Sequence, residues 1–130
     1  MFERLKNLRT KSYSYKSNYK VACIVEMKDG TQFEGVNVEN PSFKDGLCAE
    51  QVAIGTAIAN GYDKYDFECL YLLGSSDYSI TPCFLCRQYL VEFFEKNKKV
   101  ISYNNEGKKQ EFTIDQLCPY TFSERDLEND

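Results

Sequence analysis

Apolar positions change their period several times along the chain, and each change predicts an element. Phe2, Leu5 and Leu8 recur at helical spacing and predict a short N-terminal helix that loosens into the Tyr- and Ser-rich stretch around Tyr13 and Tyr15. Lys20 to Met27 reads as a strand. Lys28-Asp29-Gly30 is a hairpin turn signal, and the alternation from Thr31 to Val38 predicts a second, antiparallel strand that Asn40-Pro41 closes. From Cys48 to Asn60, Val52, Ile54, Ala57 and Ile58 are interleaved with small residues, including Gly55 and Thr56. That pattern predicts a heavily buried helix ended by Asn60-Gly61.

Phe67 to Leu73 is a short apolar run suited to a central strand, and a loop from Gly74 to Ile80 follows it. Pro82 suits the threshold of another helix, Cys83 to about Lys96, with Leu90, Val91 and Phe94 as its apolar stripe. Lys99 to Tyr103 and Lys108 to Thr113 supply two more strands around a turn at Asn104-Asn105-Glu106-Gly107. Thr113 or Asp115 is placed to cap a last short helix. The order α-β-β-α-β-α-β-β-α predicts a three-layer α/β/α fold, with one mixed five-stranded sheet covered by helices on both faces. No linker, repeat or low-complexity segment interrupts it, so residues 1–130 are expected to form a single domain.

A chain of 130 residues can bury roughly two thirds of its unfolded surface, so its core does not depend on disulfides. No apolar run reaches the ~18 residues of a membrane span, and the segment Met1 to Lys6 lacks the apolar centre of a secretory signal. A cytoplasmic setting is expected, where the six cysteines serve as thiols or metal ligands. Cys23, Cys69 and Cys118 sit singly in apolar stretches and are expected to be buried and inert. The absence of histidine excludes Ser-His-Asp and Cys-His catalysis and any imidazole ligand. Acid and base work therefore falls to a carboxylate, Lys, Tyr or Cys. A net charge of −4 argues against a nucleic-acid partner. The basic residues of the first twenty positions are expected to form a solvated helix face, and the acidic last seven a frayed tail.

Two short motifs carry the chemistry: Cys48-Ala49-Glu50, and Pro82-Cys83-Phe84-Leu85-Cys86. Cys83 and Cys86 lie three apart, so in the first turn of a helix they can grip one ion, while Cys48 opens a different helix. Both sets of thiols would sit at helix N-termini, where unpaired N–H groups favour the thiolate that zinc requires. Three protein ligands leave a fourth tetrahedral position for water, with Glu50 placed to handle its proton; a structural zinc site is normally closed by four. A lone C-x-x-C is equally a redox dithiol or half of a structural zinc knuckle. Neither of those explains Cys48 and Glu50, and no other cysteine has a C-x-x-C partner. Three thiolates leave the ion with a net charge of −1, and Arg87, next to Cys86, is placed either to donate to the sulfurs or to be an ordinary surface arginine.

At these residues the sequence resembles the zinc-dependent cytidine deaminases, specifically their small homotetrameric branch with three cysteine ligands. Asn37-Val38-Glu39-Asn40 resembles that family's N-[IV]-E-N segment, Tyr19-Lys20-Val21-Ala22-Cys23 its F-x-V-G-A strand, and Leu117-Cys118-Pro119-Tyr120-Thr121-Phe122 its L-L-P-x-x-F ending. The resemblance spans Ser12 to Leu127. It implies one zinc ion per chain on Cys48, Cys83 and Cys86, and hydrolytic deamination of cytidine or deoxycytidine at ring carbon 4, in the service of pyrimidine salvage. Glu50 would take the proton of the attacking water, pass it to ring nitrogen 3 and then protonate the departing amine. Asn37 and Glu39 would grip sugar hydroxyls, Ala49 would bind the substrate, Tyr19 would pack against the pyrimidine, and Phe122 would reach a neighbouring subunit's site in a homotetramer with shared sites.

Three positions depart from the family's pattern. Gln51 stands where the family carries arginine, so a less acidic zinc water or a substitute cation is expected. Phe84-Leu85 replaces a small pair. Phe43 stands where the family often has Tyr, which removes one contact to the nucleoside's far end. A blasticidin S deaminase is the nearest rival enzyme, on the resemblance of Tyr19-Lys20-Val21-Ala22, Gly35-Val36-Asn37-Val38 and Ile54-Gly55-Thr56-Ala57, although Glu39 and the ending through Phe122 favour the nucleoside enzymes. From other classes, a zinc-stabilised interaction module or a dithiol redox protein would use the same cysteines without Glu50.

Overall fold

The computed structural model describes residues 1–42 and 45–128. Phe43, the candidate substrate-binding position at which the family often has Tyr, lies outside the described residues. Helix α1 (Phe2–Arg9) leads into strands β1 (Ala22–Met27) and β2 (Gln32–Val36), then α2 (Ala49–Ala59), β3 (Phe67–Leu73), α3 (Phe84–Phe93), β4 (Lys99–Tyr103) and β5 (Lys109–Thr113). Two single-turn helices, α4 (Ile114–Leu117) and α5 (Glu124–Leu127), complete the order. The strands form one mixed sheet in the order β2-β1-β3-β4-β5. Among the strands of the described residues, only β3 and β4 pair in parallel. A parallel pair requires a crossover rather than a hairpin, and α3 provides it.

Residue alternation along β1 divides the core between the two faces of the sheet. Ala22 and Ile24 join Leu73 under Leu5 and Leu8 of α1. Cys23, Val25 and Met27 face the opposite way and pack with Ala49, Ala53, Ile54 and Ala57 of α2, Leu90 of α3, and Phe94. Because successive strand side chains point to opposite faces, a strand apolar at every position is one covered on both sides. That is why β1 and β3 read as largely apolar runs, interrupted at Glu26 and Glu68. At the other end of the chain, Thr113 caps α4 by accepting from the Gln116 N–H at 3.1 Å. The acidic end, expected to be frayed, instead turns once as α5, with Ser123 as its N-cap.

Gly35 sets how closely α2 can approach the sheet. A side-chain carbon at that position would collide with the carbonyl oxygen of Ala49 and lie 2.5 Å from the Ala53 nitrogen. Only a residue without Cβ lets the first turns of α2 rest on β2 at this depth. The same contact fixes Cys48, Ala49 and Glu50 relative to the end of β2, from which Asn37 to Glu39 continue. That continuation is held on both sides. Val38 exchanges two hydrogen bonds with Leu47 at 3.0 and 2.8 Å, and Tyr13 bridges Asn37 and Glu39 at 3.1 and 2.7 Å.

Candidate active site

Helices α2 and α3 lie on the same face of the sheet, and their N-termini bring the two cysteine motifs together. Cys48 is the N-cap of α2 and Cys83 the N-cap of α3; both have extended backbone there. Cys86 is then the third residue of α3. An N-cap side chain and the side chain three residues on approach the same point over the helix end, the geometry that capping boxes exploit. In α3 that pair is two thiols. In α2 the corresponding partner is Gln51, whose side-chain oxygen accepts from the Cys48 N–H at 2.9 Å. The three sulfurs all lie within 4.8 Å of one another, and those of Cys48 and Cys83 are 3.8 Å apart.

Zn–S bonds of about 2.3 Å at tetrahedral angles require sulfurs about 3.8 Å apart. The spacing and the all-sulfur donor set fit zinc without rearrangement of the backbone. Cys48 and Cys83 are at least partly accessible while Cys86 is buried, so the cluster is open on one side. Hydrogen bonding from the Cys86 thiol, joined by that of Cys83, brings the Cys48 thiol down to about 6 against the penalty of its burial. The same sharing, with burial and the nearby Glu50, pushes Cys86 upward. The site thus holds one thiolate ready before any metal arrives.

Glu50 follows in the first turn of α2 and is only 5% exposed. Burial pushes its carboxyl up to about 7, and the negative charge of Cys48 adds to that effect. A carboxyl titrating near neutrality can both take and return a proton. It lines a cavity of about 640 Å³ together with Tyr19, Asn37, Glu39, Cys48, Ala49 and Cys83, a volume suited to a small organic molecule. Six residues singled out in the sequence therefore share one cavity with Glu50. Tyr19 reaches it from the stretch before β1, with its hydroxyl 2.5 Å from Ser76 Oγ.

Arg87 and Phe122 sit elsewhere. The guanidinium of Arg87 donates to the carbonyls of Pro82 at 2.8 Å and Leu117 at 2.7 Å and to Thr81 Oγ1 at 3.0 Å, and it stacks over the Phe84 ring at 4.4 Å. It braces the turn that carries Cys83, and among the described residues its guanidinium donates to backbone carbonyls and a hydroxyl and to no sulfur. Phe122 lies across α3, where its carbonyl accepts from Gln88 Nε2 at 2.8 Å, and its ring does not line the cavity of its own chain. Cys23 and Cys69 are buried as expected, but Cys118 is half-exposed, next to the bend at Tyr120. Tyr78, Ile80 and Leu47 also line the cavity. Sequence reading passed over them because nothing in their local pattern distinguishes a cavity wall from a loop.

The model of the cytidine and deoxycytidylate deaminase zinc-binding region matches residues 1–104. A cytidine deaminase of Mycoplasma genitalium is 36% identical over 117 residues, covering 90% of this chain and 88% of its own. The crystal structure of a cytidine deaminase from Burkholderia pseudomallei superimposes with a TM-score of 0.88 at 34% identity, covering 92% of this chain and 94% of that one. A blasticidin-S deaminase of Bacillus cereus is 27% identical over 116 residues, covering 84% of this chain and 81% of its own. The match runs through both cysteine motifs and the segment after β2 that carries Asn37 and Glu39, and with three sulfurs at zinc spacing beside a buried carboxyl it places the chain in the cytidine and deoxycytidylate deaminase zinc-binding family.

Proposed function

We propose that this chain is a zinc-dependent aminohydrolase that converts cytidine, deoxycytidine or both to the corresponding uracil nucleoside and ammonia, as in pyrimidine salvage. The observation that carries the reading is the meeting, in one cavity, of three sulfurs at zinc spacing and a buried carboxyl that titrates near pH 7. Cys48, Cys83 and Cys86 would hold the ion. Zinc, when bound, supplies the Lewis acidity that activates water near neutral pH. Glu50 in its ionised form takes one proton from the attacking water and carries it to ring nitrogen 3, then takes the remaining hydroxyl proton and delivers it to the departing amine, so that the two protons of the water leave on the uracil ring and the ammonia. Its burial keeps bulk water from competing for the proton. Asn37 and Glu39 hold the sugar, while Ala49 binds the substrate and Tyr19 packs against the pyrimidine.

The residues act as one deaminase domain in the cytoplasm, and the chain works as a homotetramer in which Phe122 reaches a neighbour's site. In support of assembly, Phe84 is 80% exposed, Leu85 64% and Phe122 57%, a cluster of apolar side chains at one end of α3. No helix among the described residues is long and apolar enough to cross a membrane. The test is to add cytidine to purified protein of measured zinc content and follow ultraviolet absorbance and ammonia. Turnover with about one zinc per chain supports the reading. No turnover at full metal content refutes it, and release of ammonia from blasticidin S instead would favour the rival reading that the Bacillus cereus relative suggests.

A further inference from the structure

Asn37 and Glu39, the two side chains assigned to the sugar, are already engaged by the segment that runs from Ser12 to Val21. Asn37 Oδ1 accepts from the Val21 N–H at 2.9 Å, and its Nδ2 donates to the Tyr19 carbonyl at 2.8 Å. A backbone carbonyl only accepts and a backbone N–H only donates, so these two contacts fix which way the amide faces. The Ser12 hydroxyl meets Oδ1 and therefore donates to it, with Ser14 Oγ 3.0 Å behind. Glu39 is held in the same manner. Its Oε1 accepts from the N–H groups of Lys16 and Ser17, both at 3.0 Å, and its Oε2 accepts from the Ser17 hydroxyl.

The capacity left over has a definite chemistry. A primary amide offers two N–H donors and two acceptor lone pairs, and a carboxylate about four acceptor positions. Among the described residues, both acceptor positions of Asn37 are filled and one of its donors is not. On Glu39 three positions are filled and one, on Oε2, is not. Both side chains line the same cavity, and a single alcohol group, which donates once and accepts, complements one free donor and one free acceptor.

Resting on the nucleoside reading above, we propose that Ser17 and Ser12 are positioning residues for sugar recognition. They fix the Glu39 carboxylate and the Asn37 amide so that their one free acceptor and one free donor meet a sugar hydroxyl. The bonds that the two serines make to Asn37 and Glu39 act on the sugar, so that contribution depends on the sugar carrying hydroxyls. Removing the Ser17 hydroxyl opens a second vacant acceptor position on Glu39 and costs orientation at the sugar. Ser17 Oγ also accepts from the Tyr19 N–H at 3.0 Å, and a loss passed on through Tyr19 would fall equally on both substrates.

The experiment compares Ser17→Ala, Ser12→Ala and Ser17→Thr with the unaltered protein on cytidine and on 2′,3′-dideoxycytidine, which lacks both ring hydroxyls. The expected result is a rise in KM for cytidine of about tenfold in each alanine variant with kcat within about twofold, recovery in Ser17→Thr, and variant kcat/KM on the dideoxynucleoside equal to that of the unaltered protein. Equal losses on both substrates would show a general disturbance and overturn the proposal, as would an unchanged KM for cytidine in the alanine variants. If the unaltered protein turns over neither nucleoside, the nucleoside reading itself fails and the positioning role falls with it.

Discussion

Gly35 on β2 faces Ala53 on α2 so closely that an added Cβ would lie 2.5 Å from the Ala53 nitrogen. The atoms it would meet are backbone, so no side-chain rotation relieves the clash. Gly35→Ala is expected to destabilise the fold by about 2–3 kcal/mol, in the range of other overpacking changes. Because α2 carries Cys48 and Glu50, the helix can yield only by displacing both. Urea unfolding should show the loss of stability, and zinc retention should fall in the protein that still folds. Full stability together with full zinc content would mean that α2 does not rest on β2 as described.

Zinc content is expected to depend on all three thiols. Replacing Cys83 or Cys86 with alanine leaves two sulfurs, too few for a tight tetrahedral site, so metal per chain after dialysis should drop from about one to well below half. Cys118→Ala, which removes a half-exposed thiol outside the cluster, should leave metal content unchanged. Elemental analysis of the purified variants under reducing conditions decides it.

Elements whose patterns reflect burial on one or both faces were legible in the sequence. Phe67–Leu73 and Lys99–Tyr103 are strands with the predicted bounds, because continuous or alternating apolar character follows directly from which sheet faces are covered. Strand ends were overextended at Lys20 and at Val38. At Val38 the chain exchanges its sheet partners for Tyr13 and Leu47, and at Lys20 its backbone bonds to the Ser75 hydroxyl instead; only the fold reveals those neighbours. The α3 helix ends at Phe93, short of the predicted Lys96. Phe94 instead adopts extended backbone, packing its ring 5.0 Å from that of Phe67. The cysteine motifs were legible because ligand spacing in a helix's first turn is local. The work of Arg87 was not. Its choice between sulfur and carbonyl depends on where Leu117, 30 residues away, comes to rest.

Replacing Glu50 with Gln keeps the shape of the side chain and removes its ability to take a proton. Turnover is expected to fall by at least a hundred- to ten-thousand-fold, the usual worth of general acid–base catalysis, while zinc content and the circular dichroism spectrum stay unchanged. Retained turnover would mean that another group carries the proton and that Glu50 does not have the role assigned to it. Loss of zinc together with turnover would mean that the carboxylate helps hold the metal, contrary to the role assigned to it.

The metal-free site offers a final test of how its thiols share protons. Cys48 is brought down to about 6, first by hydrogen bonding from Cys86 and then from Cys83, while burial opposes the shift. A lowered thiol is thiolate above its midpoint, so alkylation of Cys48 in chelated protein should already be fast at pH 7 and fall away as pH drops through about 6. Cys86, buried and pushed upward, should resist the reagent across that range. Peptide mapping by mass spectrometry after brief iodoacetamide treatment separates these two from exposed Cys83. In Cys86→Ala the leading stabiliser of the thiolate is gone and burial is not, so the Cys48 midpoint should climb back toward the ordinary thiol range. If it stays near 6, the thiolate owes its stability to the N-terminus of α2 rather than to its neighbouring thiols.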